Sequence, residues 1–127
     1  MLPLRRNRSK YGAIKAEIDG IKFDSKKEAA RYCELSLLQK AGEISDLKLQ
    51  PKFLLIPSKR RSDGVLEREA AYHPDFSYIE RGVLVVEDVK SKPTKTPDYV
   101  LRRKLMLHVH GVEVREIDSV KRKTKSA

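Results

Sequence analysis

Several residue types are scarce in this chain of 127 residues, and each scarcity narrows what the protein can be. There is one cysteine, Cys33, so no disulfide bond can form within the chain, and this usage favours a reducing compartment. Tryptophan is absent, and the longest aliphatic run, residues 83–86, is far too short to cross a bilayer. Residues 1–10 are basic but lack the apolar stretch and the small-residue cleavage site of a signal peptide. We therefore expect a cytoplasmic protein.

Histidine is also scarce, and its spacing argues against zinc. His108 and His110 lie two residues apart, the wrong spacing for two ligands on one helical face. With a single cysteine and no further cluster, a zinc site is not expected. His73 precedes a Pro-Asp pair, and we interpret it either as lining a cleft or as peripheral.

Positive charge is abundant and is concentrated at the two ends of the chain. Residues 1–10 and 121–127 each carry four basic residues and no acid, whereas residues 11–120 hold 20 basic and 18 acidic residues. Basic arms on a near-neutral body favour a polyanionic partner, because neutralised phosphates release counterions; the alternative is that they only aid solubility. We predict one domain over residues 13–118, between a flexible basic arm, 1–12, and a flexible basic tail, 119–127.

Hydrophobic periodicity and turn residues predict the order β-α-β-β-β-α-β. The first half is read as a hairpin around Asp19-Gly20 (13–23), a helix (25–41), a strand region broken at Pro51 (47–57), a polar turn (59–64) and a strand (65–72). The second half is read as strands 75–80 and 83–90 joined by Arg81-Gly82, a helix (98–110) and a last strand (112–117). This pattern predicts an α/β fold with a mixed central β-sheet flanked by two main helices.

The hairpin around Arg81-Gly82 brings chemically informative residues together. A two-residue loop pairs residue 80 with 83 and 79 with 84, which sets Asp75 opposite Asp88. Because side chains alternate along a strand, Asp75, Asp88 and Lys90 share one face. Two carboxylates about 5 Å apart repel by about 3 kcal/mol at an effective dielectric constant near 20. A divalent cation, helped by Lys90, would neutralise them.

Two other carboxylates are candidates at this site. Glu87 points to the opposite face, and we expect it to form a salt bridge with a helix Arg or Lys, unless the register slips by one residue. Glu28 follows Ser25 by three residues, the spacing of a capping box. It is interpreted either as a helix cap or as a carboxylate that projects from the first helical turn toward the cation.

The spacing of these residues resembles a known signature. Pro74-Asp75, followed by Asp88-Val89-Lys90, resembles the bipartite motif of the PD-(D/E)xK nuclease superfamily. The wider pattern, over about residues 10–117, is similar to small phage-encoded endonucleases of the Holliday-junction-resolvase type. It starts at Lys10-Tyr11-Gly12-Ala13 and continues through the segment 23–29, Phe-Asp-Ser-Lys-Lys-Glu-Ala.

The resemblance implies a restriction-endonuclease-like core and a metal-dependent endodeoxyribonuclease. Asp75, Asp88 and the Val89 carbonyl would bind Mg²⁺ or Mn²⁺, and Glu28 would hold a second metal or a water. Lys90 would orient the attacking water or help to deprotonate it, and would stabilise charge on the phosphate. It further implies DNA as partner, with RNA not excluded, a possible homodimer on branched DNA, and a bacterial cytoplasm or that of a phage host.

Basic side chains around this motif are candidates for contacting nucleic acid. They are Lys92 and Lys95 after the predicted central strand, Arg102, Arg103 and Lys104 on the second helix, and Arg5, Arg6 and Arg8 in the arm. Two alternative functions remain at this point, a non-catalytic nucleic-acid-binding module on a nuclease-like scaffold and a protein–protein adaptor. The Asp75, Asp88 and Lys90 set argues against a pure binder, because acids that face phosphate weaken binding.

Overall fold

The computed structural model describes residues 16–90 and 95–118. The predicted basic arm and tail, with Arg5, Arg6 and Arg8, lie outside the described residues, and so does Lys92. No helix in the described part of the chain is long and apolar enough to span a membrane.

A four-stranded mixed sheet forms the centre of the fold. In chain order, the strands of the described residues are β1 (Ala16–Ile18), β2 (Ile21–Phe23), β3 (Ser45–Leu49), β4 (Phe53–Ile56), β5 (Lys59–Arg60), β6 (Leu66–Glu67), β7 (Ala70–Tyr72), β8 (Phe76–Glu80), β9 (Val83–Val89) and β10 (Val114–Ile117). Four of them form the central sheet, and the others pair in twos. The central sheet has the order β10-β9-β8-β3, with β10 parallel to β9 and the other pairs antiparallel. The predicted central position of β9 and the mixed sheet are confirmed.

Two helices accompany the sheet, and each begins at a side-chain cap. Helix α1 (Lys26–Lys40) starts after Ser25, whose hydroxyl accepts a hydrogen bond from the Glu28 backbone N–H at 3.2 Å. Helix α2 (Pro97–Leu105) starts after Thr96, continues as a π-helical turn and ends at Gly111, whose φ is 70°. Such a left-handed residue favours glycine and ends a helix cleanly.

The apolar core has two clusters, one for each helix. The cluster under α1 contains Ala29, Leu35, Phe76 and Val85 among its buried members. The cluster under α2 contains Tyr72, Val86 and Tyr99. Since Val85 and Val86 belong to different clusters, β9 buries both of its faces, as a central strand does.

The β8–β9 hairpin has the predicted register. Phe76 pairs with Glu87 and Glu80 pairs with Val83, around Arg81 and Gly82, which both have positive φ. This is the backbone geometry of a two-residue turn that matches the twist of the strands. Strand β8 begins at Phe76, so Asp75 lies in the bend just before it rather than inside the strand.

The interpretation of residues 59–72 is wrong in part. Lys59–Arg60 is not part of a turn, because it pairs with Leu66–Glu67 as the strands β5 and β6. The predicted strand over 65–72 is divided into β6 and β7, and β7 pairs with β4. Strands β5 and β6 are exposed and carry charged residues, so they lack the alternation of apolar and polar residues that reveals a half-buried strand.

Candidate active site

Asp75 and Asp88 meet where β9 approaches its C-terminal end. Asp75 precedes β8, and its Oδ2 accepts a hydrogen bond from the Val89 backbone N–H at 2.8 Å. Asp88 lies one residue before Val89 and its exposed fraction is only 5%. The hairpin thus brings the two carboxyl groups to one place, as its register predicts.

Burial and the neighbouring Asp88 carboxyl group change the ionisation of Asp75. Burial, followed by the hydrogen bond and the charge of Asp88, raises the pKa of Asp75 to about 8, against a weaker opposing effect of the Val89 N–H. Without a cation the pair therefore holds a proton near neutral pH. A positive ion is the group that would replace this proton.

Asp88 is fixed by a residue that sequence reasoning missed. The Tyr72 hydroxyl donates a hydrogen bond to Asp88 Oδ2, and Tyr72 itself is buried in the cluster under α2. Burial, with the hydrogen bond and charge of Asp88, raises the pKa of the Tyr72 hydroxyl. The hydroxyl therefore keeps its proton and acts as a permanent donor that orients the carboxylate.

Glu28 reaches the same site from the first turn of α1. Burial, the charge of Asp24 and the charge of Asp88 raise its pKa, whereas the Asp24 backbone N–H and Lys90 lower it. Glu28 and Asp75 line a pocket of about 150 Å³, together with Lys22 and Gln50. The capping role of Ser25 and the approach of Glu28 to the carboxylates therefore coexist.

Lys90 follows β9 and lies over an aromatic ring. Its Nζ is 4.3 Å from the centroid of the Tyr99 ring, a cation–π distance. The Tyr99 hydroxyl donates to Glu116 Oε2 at 2.8 Å, and Tyr99 is part of the core under α2. Helix α2 and strand β10 thus support the ammonium group just past the end of β9, through a second contact that the sequence did not reveal.

Glu116 forms ion pairs with two of the basic residues predicted to contact nucleic acid. Its carboxylate lies 2.8 Å from Lys95 Nζ and 2.7 Å from Arg103 Nη1. Burial raises its pKa, but the hydrogen bonds from Lys95, Arg103 and Tyr99 outweigh burial and lower the pKa to about 2. The two cations are therefore placed near Lys90 by an acid that stays ionised.

The other predicted phosphate contacts on α2 are placed differently. Arg102 forms an ion pair with Asp98 and donates to the Ala71 carbonyl at 3.1 Å, which ties α2 to β7. Lys104 is exposed. Their roles toward nucleic acid stay predictions.

Glu87 points away from this site, as the alternation of the strand predicts. It is 0% exposed and forms a two-point ion pair with Arg31 of α1, at 2.8 Å and 2.7 Å. The Tyr78 hydroxyl also donates to it. The predicted salt bridge with a helix Arg or Lys is confirmed, and Glu87 is the structural acid of β9.

Gln50 is a further residue at the site that the sequence did not indicate. Its φ of 48° lies in the left-handed region, which non-glycine residues rarely adopt. Its backbone N–H donates to the Asp75 carbonyl at 2.9 Å. Residues held in such conformations concentrate at functional sites, and the strain here lies directly beside Asp75.

The donor set at this site fits a hard divalent cation. Asp75 and Asp88 supply carboxylate oxygens, and Mg²⁺ in proteins is usually held by one or two carboxylates with waters and substrate phosphates. The Val89 N–H points toward Asp75, and the Val89 carbonyl leaves the strand on the same edge. No group of three or more His, Cys, Asp and Glu side chains within residues 16–90 and 95–118 is arranged to hold a metal, so a ligand role for Glu28 stays a prediction.

The raised pKa of Asp75 gives a testable dependence of stability on pH. Because the folded-state pKa, about 8, exceeds the ordinary value of 3.8, the folded protein holds a proton over this interval that the unfolded chain has lost. The free energy of unfolding in EDTA should therefore fall as pH rises from about 4 to about 8. Asp75→Asn, which imitates the protonated side chain, should weaken this slope.

Urea unfolding in EDTA measures the effect. Near pH 9, Asp75→Asn should be more stable than wild type by at least about 1 kcal/mol, since each pKa unit corresponds to about 1.4 kcal/mol. Near pH 4 the two proteins should differ little. A variant that is less stable than wild type at the higher pH would contradict the raised pKa.

Comparison with known proteins gives one match. No curated protein matches the chain significantly, and no solved structure does. One family pattern, described as "Protein of unknown function (DUF1064)", matches residues 8–125. Since the match covers most of the chain, and with it every site residue described above, the chain belongs to the DUF1064 family.

Proposed function

We propose that the protein is a divalent-cation-dependent endonuclease that hydrolyses phosphodiester bonds in DNA. The observation that carries this proposal is the hydrogen-bonded Asp75–Asp88 pair at one end of the central strand, with Lys90 two residues after Asp88 and over the Tyr99 ring. We further propose that the core is of the restriction-endonuclease type and that the site is a PD-(D/E)xK site. The order of Asp75, Asp88 and Lys90 along a β-hairpin supports this assignment.

Four residues of the chain would hold the cation and its ligands in such a reaction. Asp75 and Asp88 would hold Mg²⁺ or Mn²⁺, with the Val89 carbonyl as a further oxygen. When bound, the cation supplies a Lewis acid and lowers the pKa of a coordinated water. The Tyr72 hydroxyl keeps one Asp88 oxygen in place, which limits the freedom of the carboxylate.

Lys90 brings positive charge to the position where negative charge develops. Burial raises the pKa of Glu28, and the Lys90 ammonium group lies close enough to that carboxyl to oppose the rise. It is therefore placed to hold a water and to stabilise charge on a phosphate oxygen. Glu28 lines the pocket with Asp75, where it would accept a hydrogen bond from that water.

The net charge of +10 favours a polyanionic substrate. A polyanion would be attracted strongly enough to overcome the local repulsion of the carboxylates, and the cation would reduce that repulsion further. Branched or junction DNA, and action as a homodimer, are parts of the proposal that rest on the family resemblance alone.

A cutting assay tests the proposal. Wild-type protein is incubated with labelled linear, nicked, single-stranded and four-way-junction DNA, and with RNA, in Mg²⁺, in Mn²⁺ and in EDTA. We expect cutting of at least one DNA with Mg²⁺ or Mn²⁺ and none in EDTA. Salt-sensitive DNA binding with no cutting under any condition would overturn the nuclease and favour the non-catalytic binding module.

A further inference from the structure

A two-stranded ribbon lies between β4 and β7 in the chain, and the proposed reaction gives it no role. It consists of β5, β6 and their connections, residues 57–69, and every one of these residues is exposed. The ribbon continues from the β4–β7 pair. It leaves this pair at Ile56 and Ala70, two residues before Tyr72, which contacts Asp88, and the chain runs from the ribbon through β7 directly to Asp75.

The three acids of this ribbon already form ion pairs within the protein. Arg61 forms ion pairs with Asp63 at 3.0 Å and with Glu67 at 3.3 Å. Glu69 is paired with Lys52, next to β4, at 2.6 Å. The negative charge of the ribbon is therefore held by two internal cations.

Three cations of the ribbon remain without such partners. Lys59, Arg60 and Arg68 form no ion pair in the part of the chain that the structure describes. Arg60 lies opposite Leu66, on the face away from Lys59 and Glu67, and its guanidinium donates to the Gly64 carbonyl. One face of the ribbon thus presents an arginine and an apolar side chain with no acid.

The ribbon is short enough for its tip to lie within one turn of a duplex bound at the site. From Tyr72 back to Gly64 the chain spans at most about 26 Å at about 3.3 Å per residue, which is less than one turn of B-DNA, about 34 Å. A two-stranded ribbon fits the major groove, and arginine pairs with phosphate oxygens. The tip therefore reaches phosphates within one helical turn of a bond held at Asp75 and Asp88.

We infer that the ribbon of residues 57–69 is a duplex-binding arm whose Arg60 and Arg68 contact backbone phosphates on one side of the catalytic site. This inference rests on the proposed function for its choice of partner, but not on cutting. The arm would fix how a duplex lies across the Asp75–Asp88 pair. It would bind linear and junction DNA alike, because phosphates carry no sequence information.

Duplex binding in EDTA, measured over a series of salt concentrations, tests this inference. The test variant is Arg60→Gln with Arg68→Gln. The control, Lys40→Gln with Arg81→Gln, changes the net charge equally at the far ends of α1 and β9. We expect about tenfold weaker binding for the ribbon variant and a salt slope smaller by about two, since each neutralised phosphate contributes about 0.9.

The control should keep the wild-type affinity to within about twofold. Circular dichroism checks that both variants fold. Equal losses of affinity in the two variants would show that only the total charge matters. Unchanged binding by the ribbon variant, or no duplex binding by the wild-type protein, would mean that the ribbon does not bind a duplex. Each of these results overturns the inference. If the wild-type protein cuts DNA but the ribbon variant binds duplex normally, the proposed nuclease is retained and the duplex-binding arm is rejected. If the ribbon variant loses affinity but the wild-type protein cuts no DNA, the arm is retained and the nuclease is rejected.

Discussion

Asp88→Asn should lower the rate of Mg²⁺-dependent DNA cutting by about three orders of magnitude. Asp88 is buried, contacts the Tyr72 hydroxyl and raises the pKa of Asp75. The asparagine keeps an oxygen for Tyr72 but removes the charge that would hold the cation. A loss of about 4 kcal/mol in transition-state stabilisation, the scale of metal-assisted catalysis, corresponds to this change in rate.

The same substitution should leave DNA binding intact or strengthen it slightly. A carboxylate that faces phosphate opposes binding when no cation is present, so its removal should not weaken binding in EDTA. Single-turnover cutting and fluorescence anisotropy measure the two effects separately. Cutting by Asp88→Asn at the wild-type rate would reject the assignment of the site.

A matched control is available at Asp46. This carboxylate is exposed, and its φ of 57° is one that asparagine tolerates well. Asp46→Asn makes the same chemical change outside the site and should cut at the wild-type rate. Equal loss in both variants would point to a general effect of charge or handling rather than to the site.

Arg31→Ala should destabilise the fold by about 3–5 kcal/mol, because it leaves the buried Glu87 carboxylate without its cation. Glu87 is 0% exposed and accepts both Arg31 contacts, and the pairing raises the pKa of Arg31. A loss of this size is a large share of the stability of a small domain. Urea unfolding near neutral pH measures it.

Two variants separate the buried contact from the exposed one. Arg31 also contacts Glu34, whose side chain is 57% exposed, so Glu34→Ala should cost less than about 1 kcal/mol. Arg31→Met combined with Glu87→Leu, which removes both charges, should recover much of the stability. Similar losses in Arg31→Ala and Glu34→Ala would show that the buried pair is not the source of the effect.

The parts of the site that the sequence predicts are those set by local geometry. The turn at Arg81-Gly82 fixes the register, and the register alone brings Asp75 to Asp88 and turns Glu87 away. The Ser25 cap likewise fixes the start of α1 and the place of Glu28. Each of these follows from a few adjacent residues and from the period of two along a strand.

The supporting residues are not predictable in this way, because their partners are distant in the chain. Tyr72 reaches Asp88 only after β7 packs against α2, and Tyr99 reaches Lys90 only after α2 packs on the sheet. The sequence shows that Lys95 and Arg103 are basic, but not that both pair with Glu116, which lies on β10. Charge and periodicity identify such residues without naming their partners.

The adjacent acids Glu87 and Asp88 make β9 sensitive to changes of length. Deleting or inserting one residue between Val83 and Val86 would rotate every later side chain to the other face, aiming Asp88 at Arg31 and Glu87 at Tyr72. Both carboxylates would be retained after such a change, but each would be surrounded by the residues that now surround the other. Natural variation within this strand should therefore consist of replacements, with gains and losses of residues confined to the segments outside it.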